Sequence, residues 1–125
     1  MSDRRKKIIL AVDDAQTNLQ VIQGVLKDSF EMRLAKSGNM ALMTLDRITP
    51  DLILLDIDMP GMSGFECMEA IRSQPRLKDV PVIFVTSHAT KELVVEAGER
   101  GAKDYVVKPF DPELLKSKVH KALGF

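Results

Sequence analysis

The fold of this chain follows from the stretch Leu52-Ile53-Leu54-Leu55-Asp56-Ile57-Asp58-Met59-Pro60-Gly61. Four apolar residues run without a polar break and stop at a carboxylate, Asp56. An unbroken aliphatic run of this length is typical of a strand covered on both faces, as in a parallel sheet. Such a strand delivers Asp56 to its carboxyl end, the edge where open α/β sheets bind ligands, and Pro60-Gly61 predicts a turn directly after it.

The composition is that of one ordinary globular domain. The chain has 125 residues, of which 45% are hydrophobic and 29% charged, with a formal net charge of zero. We predict a single domain over 1–125, with a core over about 8–123 and a basic arm at 1–7. Zero net charge gives no electrostatic reason to expect nucleic acid or a membrane as a partner. A single cysteine, Cys67, and no apolar run of roughly 18 residues favour a cytoplasmic location.

Strands and helices alternate along the rest of the chain. Besides the central run, strands are predicted at 8–12, 31–36, 82–85 and 105–107. No repeat, low-complexity segment or internal linker interrupts this order. Five strands alternating with helices imply right-handed crossovers and a parallel sheet with helices on both faces. The predicted fold class is therefore a three-layer α/β domain.

The helices between the strands are predicted from apolar residues at helical spacing. Ser63 and Glu66 have the spacing of a capping box, and Asp111 before Pro112 is a typical helix start. Pro50 is predicted to end the second helix. The predicted inner faces are Leu19, Ile22, Val25 and Leu26; Ala41, Leu42, Leu45 and Ile48; Phe65, Met68 and Ile71; Leu93, Val94 and Ala97; and Leu114, Leu115, Val119 and Leu123.

Polar side chains follow four of the predicted strands at the point where each strand ends. They are Asp13, Asp14, Asp56, Thr86 and Lys108. Carboxylates gathered at one edge repel each other unless a cation neutralises them, and hard oxygen ligands suit Mg²⁺. A carboxylate beside Mg²⁺ can attack phosphorus and form an aspartyl phosphate, with a lysine and a hydroxyl to stabilise the phosphoryl oxygens. Taken singly each residue has an ordinary structural explanation, but their joint placement predicts a phosphoryl-transfer site.

These motifs, in this order, resemble the receiver domain of the two-component response-regulator family, and of chemotaxis receivers in particular. The matching pieces are the pair Asp13-Asp14, the run 56–64, Thr86, and the run 105–110, and the likeness extends from about Ile8 to Leu123. The resemblance implies a flavodoxin-like fold of five parallel strands in the order 2-1-3-4-5. It also implies a signalling switch rather than an enzyme with its own substrate.

The resemblance further implies a role for each matching residue. Asp56 is the implied phosphoacceptor, and Mg²⁺ or Mn²⁺ is the implied cofactor. The implied metal ligands are the side chains of Asp13, Asp14 and Asp56 and the backbone carbonyl of Asp58. Lys108 is expected to pair with the phosphoryl oxygens, and its bond to Pro109 is expected to be a cis peptide.

The resemblance implies a coupled switch as well. Thr86 is expected to move towards the phosphoryl group, and Tyr105 is expected to swing inward with it. This motion would change the surface made by the fourth helix, the fifth strand and the fifth helix. The side chains of Asp58 and His88 stand where family members differ, and they are expected to influence the lifetime of the phosphoryl group.

The expected partners are a sensor histidine kinase or a histidine phosphotransfer protein upstream, and an output protein or domain downstream. A phosphorylation-dependent homodimer is also possible, whereas direct binding to nucleic acid or a membrane is not expected. One alternative is a haloacid-dehalogenase-like phosphatase, because Asp56-Ile57-Asp58 fits its Asp-x-Asp signature. That alternative leaves Asp13-Asp14 and Lys108-Pro109 unexplained. A third reading is an unphosphorylated receiver-like binding module.

Overall fold

Five strands and five helices alternate along the chain in the computed structural model, which describes residues 6–124. A short 3-10 helix, Pro75–Leu77, lies between the third helix and the fourth strand. In chain order the elements are β1 (Ile8–Val12), α1 (Gln16–Leu26), β2 (Glu31–Ala35), α2 (Gly38–Leu45), β3 (Leu52–Asp56), α3 (Gly64–Arg72), β4 (Val82–Thr86), α4 (Lys91–Glu99), β5 (Asp104–Val107) and α5 (Pro112–Ala122).

The strands form one parallel sheet in the order β2-β1-β3-β4-β5, as predicted. Strand β3 lies at the centre of this sheet. Val12 of β1 is in register with Leu55 of β3, and Asp56 is in register with Val85 of β4. The carboxyl ends of β1, β3 and β4 therefore meet at one edge of the sheet, where the residues that follow them come together.

The core consists of two apolar clusters, one on each face of the sheet. All five residues of β3 are buried. Ile53 and Leu55 belong to the cluster beneath α2, α3 and α4, whereas Leu52 and Leu54 belong to the cluster beneath α1 and α5. Side chains alternate between the faces of a strand, so a strand with helices on both sides must be apolar throughout. This arrangement confirms the three-layer prediction.

Two predicted helix starts are confirmed by their capping hydrogen bonds. The Ser63 hydroxyl accepts from the backbone N–H of Glu66, and the Glu66 carboxylate accepts from the N–H of Ser63, which completes a capping box. The Asp111 carboxylate accepts from the N–H of Glu113, with Pro112 as the first helical residue. These caps fix where α3 and α5 leave the sheet edge.

Two details of the predicted helices are wrong. Helix α2 ends at Leu45 rather than near Pro50. The Leu45 carbonyl, left without a helical partner, accepts from the Arg76 side chain, whose Nη1 also donates to Thr49 Oγ1 over 2.8 Å. In α5, Leu114 is 47% exposed although it was predicted to face inward. Consecutive helical residues are rotated by about 100°, so Leu115 can face the sheet only if Leu114 turns away from it.

The basic N-terminal arm predicted for 1–7 falls mostly outside the described residues. Lys6 and Lys7 are described and exposed, and Lys6 Nζ donates to the carbonyl of Lys27 over 3.3 Å. Within residues 6–124 no helix has the length and apolar character needed to cross a bilayer.

Candidate functional site

Asp56 lies at the end of the central strand and is only 2% exposed. The start of α3 packs directly against it: the N–H of Gly64 donates to the carbonyl of Ile57 over 2.8 Å. A Cβ atom at position 64 would lie 2.3 Å from the carbonyl oxygen of Asp56. No side chain fits at that distance, so Gly64 sets how closely the helix approaches the strand end.

Replacing Gly64 by Ala is expected to destabilise the fold by roughly 1–3 kcal/mol, because the backbone at Asp56 must shift to admit the new methyl group. Gly24→Ala is the matched control. Gly24 lies in the interior of α1 with nothing within 4 Å of a Cβ atom. That substitution is expected to stabilise the protein by about 0.5–1 kcal/mol, since alanine favours helix. Urea unfolding of both variants measures this, and equal stabilities would contradict the close-approach explanation.

Three carboxylates gather at the edge formed by β1 and β3. Oxygen atoms of Asp13, Asp14 and Asp56 all lie within 4.8 Å of one another. Asp13 is 1% exposed, and its Oδ1 accepts from Ala15 N over 2.9 Å and from Asn18 Nδ2 over 3.4 Å. Its other oxygen, Oδ2, is buried and forms an ion pair with Lys108. Three carboxylates this close together, two of them buried, fit a hard divalent cation such as Mg²⁺.

Lys108 is the basic residue of this site. Its Nζ lies 2.8 Å from Asp13 Oδ2 and 3.2 Å from Asp56 Oδ1, and its side chain is 14% exposed. It follows β5, and its backbone N–H donates to the carbonyl of Thr86 over 2.7 Å. The Lys108–Pro109 peptide bond is cis, as the resemblance implies. One ammonium group is thus placed between two buried carboxylates.

The electrostatics of the site follow from burial. The pKa of Asp56 is raised from 3.8 to about 6, chiefly by desolvation and also by the charge of Asp13, while Lys108 and the backbone N–H of Asp58 oppose the shift. Burial works to lower the pKa of Lys108, but the carboxylates of Asp13 and Asp56 outweigh it and raise that pKa above its ordinary value. Burial and the charge of Asp13 therefore disfavour the ionised form of Asp56, and a bound cation would favour it.

This shift predicts a pH-dependent stability. The folded-state pKa of Asp56, about 6, lies above the unfolded value of 3.8, so its stabilising proton is fully bound only at low pH and is lost as pH rises through 6. The cost at neutral pH approaches roughly 3 kcal/mol. In chelator, Asp56→Asn is expected to gain stability over wild type between pH 4 and 8. Urea unfolding across that range measures the gain, and a pH-independent difference would contradict it.

The remaining predicted residues have different environments. The Thr86 side chain is buried, but its hydroxyl is held by His88: it donates to the His88 carbonyl and accepts from the His88 N–H, both over 3.0 Å. Tyr105 is half-buried on β5 and packs against the cluster beneath α4. The side chains of Asp58 and His88 are exposed. The structure thus brings together Asp13, Asp14 and Asp56, and it pairs Lys108 with two of them, Asp13 and Asp56.

Sequence reasoning missed two contributors to the site. Asn18 helps to orient Asp13, yet an asparagine in the first turn of an amphipathic helix is too common to stand out. Gly64 controls the approach of α3, and its only signal was its place inside the motif. Asn18 and Gly64 both act through contacts that depend on how a helix packs against the sheet.

Comparison with known proteins agrees with this geometry. The family described as the response regulator receiver domain matches residues 9–120. The chain belongs to this family. The receiver domain is 38% identical over 115 residues to the chemotaxis protein CheY of Pseudomonas aeruginosa, covering 90% of this chain and 93% of that protein. A solved structure of Vibrio cholerae CheY4 matches it with a TM-score of 0.91 and 34% identity, over 94% of this chain and 99% of that one.

A second kind of relative is much longer than this receiver domain. The probable cyclic di-GMP phosphodiesterase of Vibrio cholerae is 41% identical over 123 residues. The match covers 98% of this chain but 28% of that protein. The receiver domain therefore spans well under two thirds of the length of this relative, whereas it spans nearly all of the chemotaxis protein.

Proposed function

We propose that Asp56 is the phosphoacceptor of this receiver domain, and that it takes a phosphoryl group from the phosphohistidine of a sensor histidine kinase or a histidine phosphotransfer protein. The observation that carries the proposal is the placement of a nearly fully buried carboxylate between two further carboxylates and one lysine. A burial-raised pKa of about 6 still leaves this carboxylate ionised, and hence nucleophilic, near neutral pH.

In the proposed reaction an Asp56 carboxylate oxygen attacks phosphorus while the phosphorus–nitrogen bond of the donor breaks. An acyl phosphate forms, and the histidine leaves with its electron pair. Lys108 lies within ion-pair distance of Asp56 Oδ1, so its ammonium group can also stabilise the negative charge of the transferred phosphoryl group.

Asp13, Asp14 and Asp56, together with the backbone carbonyl of Asp58, are the proposed holders of Mg²⁺ or Mn²⁺. When bound, the ion neutralises carboxylate and phosphoryl charge. Asp13 and Asp14 differ in burial, and this difference suits them to different tasks. Asp13 is buried and bonded to α1, whereas Asp14 is exposed and free to turn towards an entering ion.

Mg²⁺ is expected to stabilise the folded domain, because it binds the native cluster and not the unfolded chain. At 100 times its dissociation constant the gain is about 2.7 kcal/mol. Thermal unfolding with Mg²⁺, and with a monovalent salt at the same ionic strength, measures the effect. Asp14→Asn is expected to lose most of the gain, and the exposed Asp28→Asn is expected to keep it. The site is wrong if Asp14→Asn responds to Mg²⁺ as wild type does.

Phosphorylation is proposed to act outward through Thr86 and Tyr105. The Thr86 hydroxyl is bonded to the backbone of His88, so it must leave that partner to reach a phosphoryl oxygen. Such a move would loosen the connection before α4 and allow Tyr105 to change position. We propose the surface of α4, β5 and α5 as the one that responds, and the exposed side chains of Asp58 and His88 as modulators of phosphoryl lifetime.

The domain is proposed to work in the cytoplasm and to pass its signal to an output protein or to an output domain of the same protein. The second arrangement is supported by the phosphodiesterase relative, because the match to this chain covers only 28% of that protein. Dimerisation on phosphorylation is a further proposal. The family assignment disfavours both the haloacid-dehalogenase-like phosphatase and the unphosphorylated binding module.

The test of the proposed function is intact mass after incubation with acetyl phosphate. One phosphoryl adduct that requires Mg²⁺ and disappears with chelator supports the proposal. No adduct from folded protein, with either acetyl phosphate or a phosphorylated histidine phosphotransfer protein as donor, would favour the binding module. Repeated turnover of a generic phosphomonoester would favour the phosphatase.

A further inference from the structure

We propose that Asp104 and Lys118 form a clamp that holds Tyr105 in its present position, which makes Lys118 a positioning residue for the switch. This inference rests on the proposed function only in treating Tyr105 as a switch residue. The contacts of the clamp itself are features of the resting domain.

The clamp first holds the backbone of Tyr105. Its N–H donates to Asp104 Oδ1 over 2.7 Å, and its carbonyl accepts from Lys118 Nζ over 2.6 Å. Lys118 Nζ also lies 3.0 Å from Asp104 Oδ1, so the two side chains are paired with each other. Within residues 6–124, strand β5 is at the edge of the sheet and pairs with β4 alone. Side chains therefore satisfy the backbone groups of Tyr105 where a further strand is missing.

The clamp also holds the ring of Tyr105. Lys118 Nζ lies 4.8 Å from the ring centroid, within the range of a cation–π contact. Lys118 belongs to α5, on one face of the sheet, whereas the Tyr105 ring packs against the cluster on the other face. The lysine thus reaches around the sheet edge and connects the two layers through one residue.

The two parts of the clamp respond differently when the Tyr105 ring moves. If the Tyr105 ring rotates about its side-chain bonds, the backbone bonds to Asp104 and Lys118 can persist, but the cation–π contact is broken. Lys118 and Asp104 are only 23% and 29% exposed, so water screens the contact less than on an open surface. The lysine therefore favours the present ring position over any other. Removing it is expected to shift the ring equilibrium away from this position about two- to fivefold.

The chain offers a direct readout of this ring. Tyr105 is its one tyrosine, and there is no tryptophan. Tyrosine emission from the resting domain therefore reports Tyr105 alone. In Lys118→Met we expect a larger acrylamide quenching constant and lower emission anisotropy than in wild type. Lys118→Arg is expected to restore both, because guanidinium also binds carbonyls and aromatic faces. Lys116→Met, on the same helix and paired with Glu113, is the matched control and is expected to change neither.

The clamp is wrong if Lys118→Met has the quenching constant and anisotropy of wild type, or if Lys116→Met changes them equally. Circular dichroism shows whether each variant is folded. If Lys118→Met fails to fold, Asp104→Asn serves instead, because it keeps an acceptor for the Tyr105 N–H but removes the charge that attracts Lys118. It is expected to change both readouts in the same direction, and unchanged values would overturn the clamp.

Failure of this inference can be told apart from failure of the proposed function. The fluorescence comparison uses the resting domain without any phosphodonor, whereas the proposed function is tested by the phosphoryl adduct. Lys118 contacts neither Asp56 nor Lys108 within the described contacts, so Lys118→Met is expected to form the adduct as wild type does. If wild type forms the adduct but Lys118→Met has the fluorescence of wild type, only the clamp is contradicted. If Lys118→Met has altered fluorescence but wild type forms no adduct, only the proposed function is contradicted.

Discussion

Asp56→Asn is expected to abolish the phosphoryl adduct completely while leaving the domain folded. The amide cannot act as the nucleophile, and Asp56 is the carboxylate at the end of the central strand that pairs with Lys108. Because the substitution removes a buried charge, the folded state should be at least as stable as wild type in chelator at neutral pH. Intact mass after incubation with acetyl phosphate and Mg²⁺ measures the loss.

Asp58→Asn is the control for this experiment. Asp58 lies two residues further along and its side chain is exposed, so the adduct should still form. The proposed influence of Asp58 on lifetime is then read from the decay of that adduct, and a decay identical to wild type would contradict it. An adduct that persists in Asp56→Asn would move the acceptor to another residue.

Lys108→Met is expected to have the second largest effect. The side chain is similar in length, but Asp13 and Asp56 lose the ammonium group that lies between them. Breaking a buried ion pair from one side costs about 3–5 kcal/mol, since the remaining charges stay buried. Losing a group that stabilises charge on the transferred phosphoryl slows such reactions about 10²–10³-fold. Adduct formation with acetyl phosphate gives the rate, and urea unfolding gives the stability.

Lys116→Met is again the control, because Lys116 is 44% exposed and distant in sequence from the acidic cluster. It is expected to retain the wild-type rate and nearly the wild-type stability. If Lys108→Met unfolds, measurements in Mg²⁺ and on Lys108→Arg separate loss of the fold from loss of the reaction. A Lys108→Met variant as stable and as fast as wild type would mean that the ion pairs have no part in the site.

Much of the fold was predictable because parallel strands buried on both faces leave an unambiguous sequence pattern. The run at β3 is apolar at every position before Asp56, and the same pattern located β1 and β4. Helix starts were also predictable at Ser63 and Asp111, since a capping side chain bonds residues two or three positions away. The errors were the end of α2 and the orientation of Leu114, and both depend on how a helix is packed against the rest of the fold.

Most candidate site residues were likewise predictable, because they end a strand or follow it within two residues and parallel strands end at a common edge: Asp13, Asp14, Asp56, Thr86 and Lys108. The sequence by itself thus determined the alternation of strands and helices and the chemistry gathered at one edge of the sheet. Only the tertiary structure decided which residues are in contact: Lys108 between Asp13 and Asp56, the Thr86 hydroxyl turned to His88, and Lys118 reaching around the edge to Tyr105. The physical reason is the separation along the chain over which each interaction acts. Periodicity and capping depend on neighbours a few residues away, whereas ion pairs, burial and ring contacts depend on how helices and strands far apart in the chain are packed together.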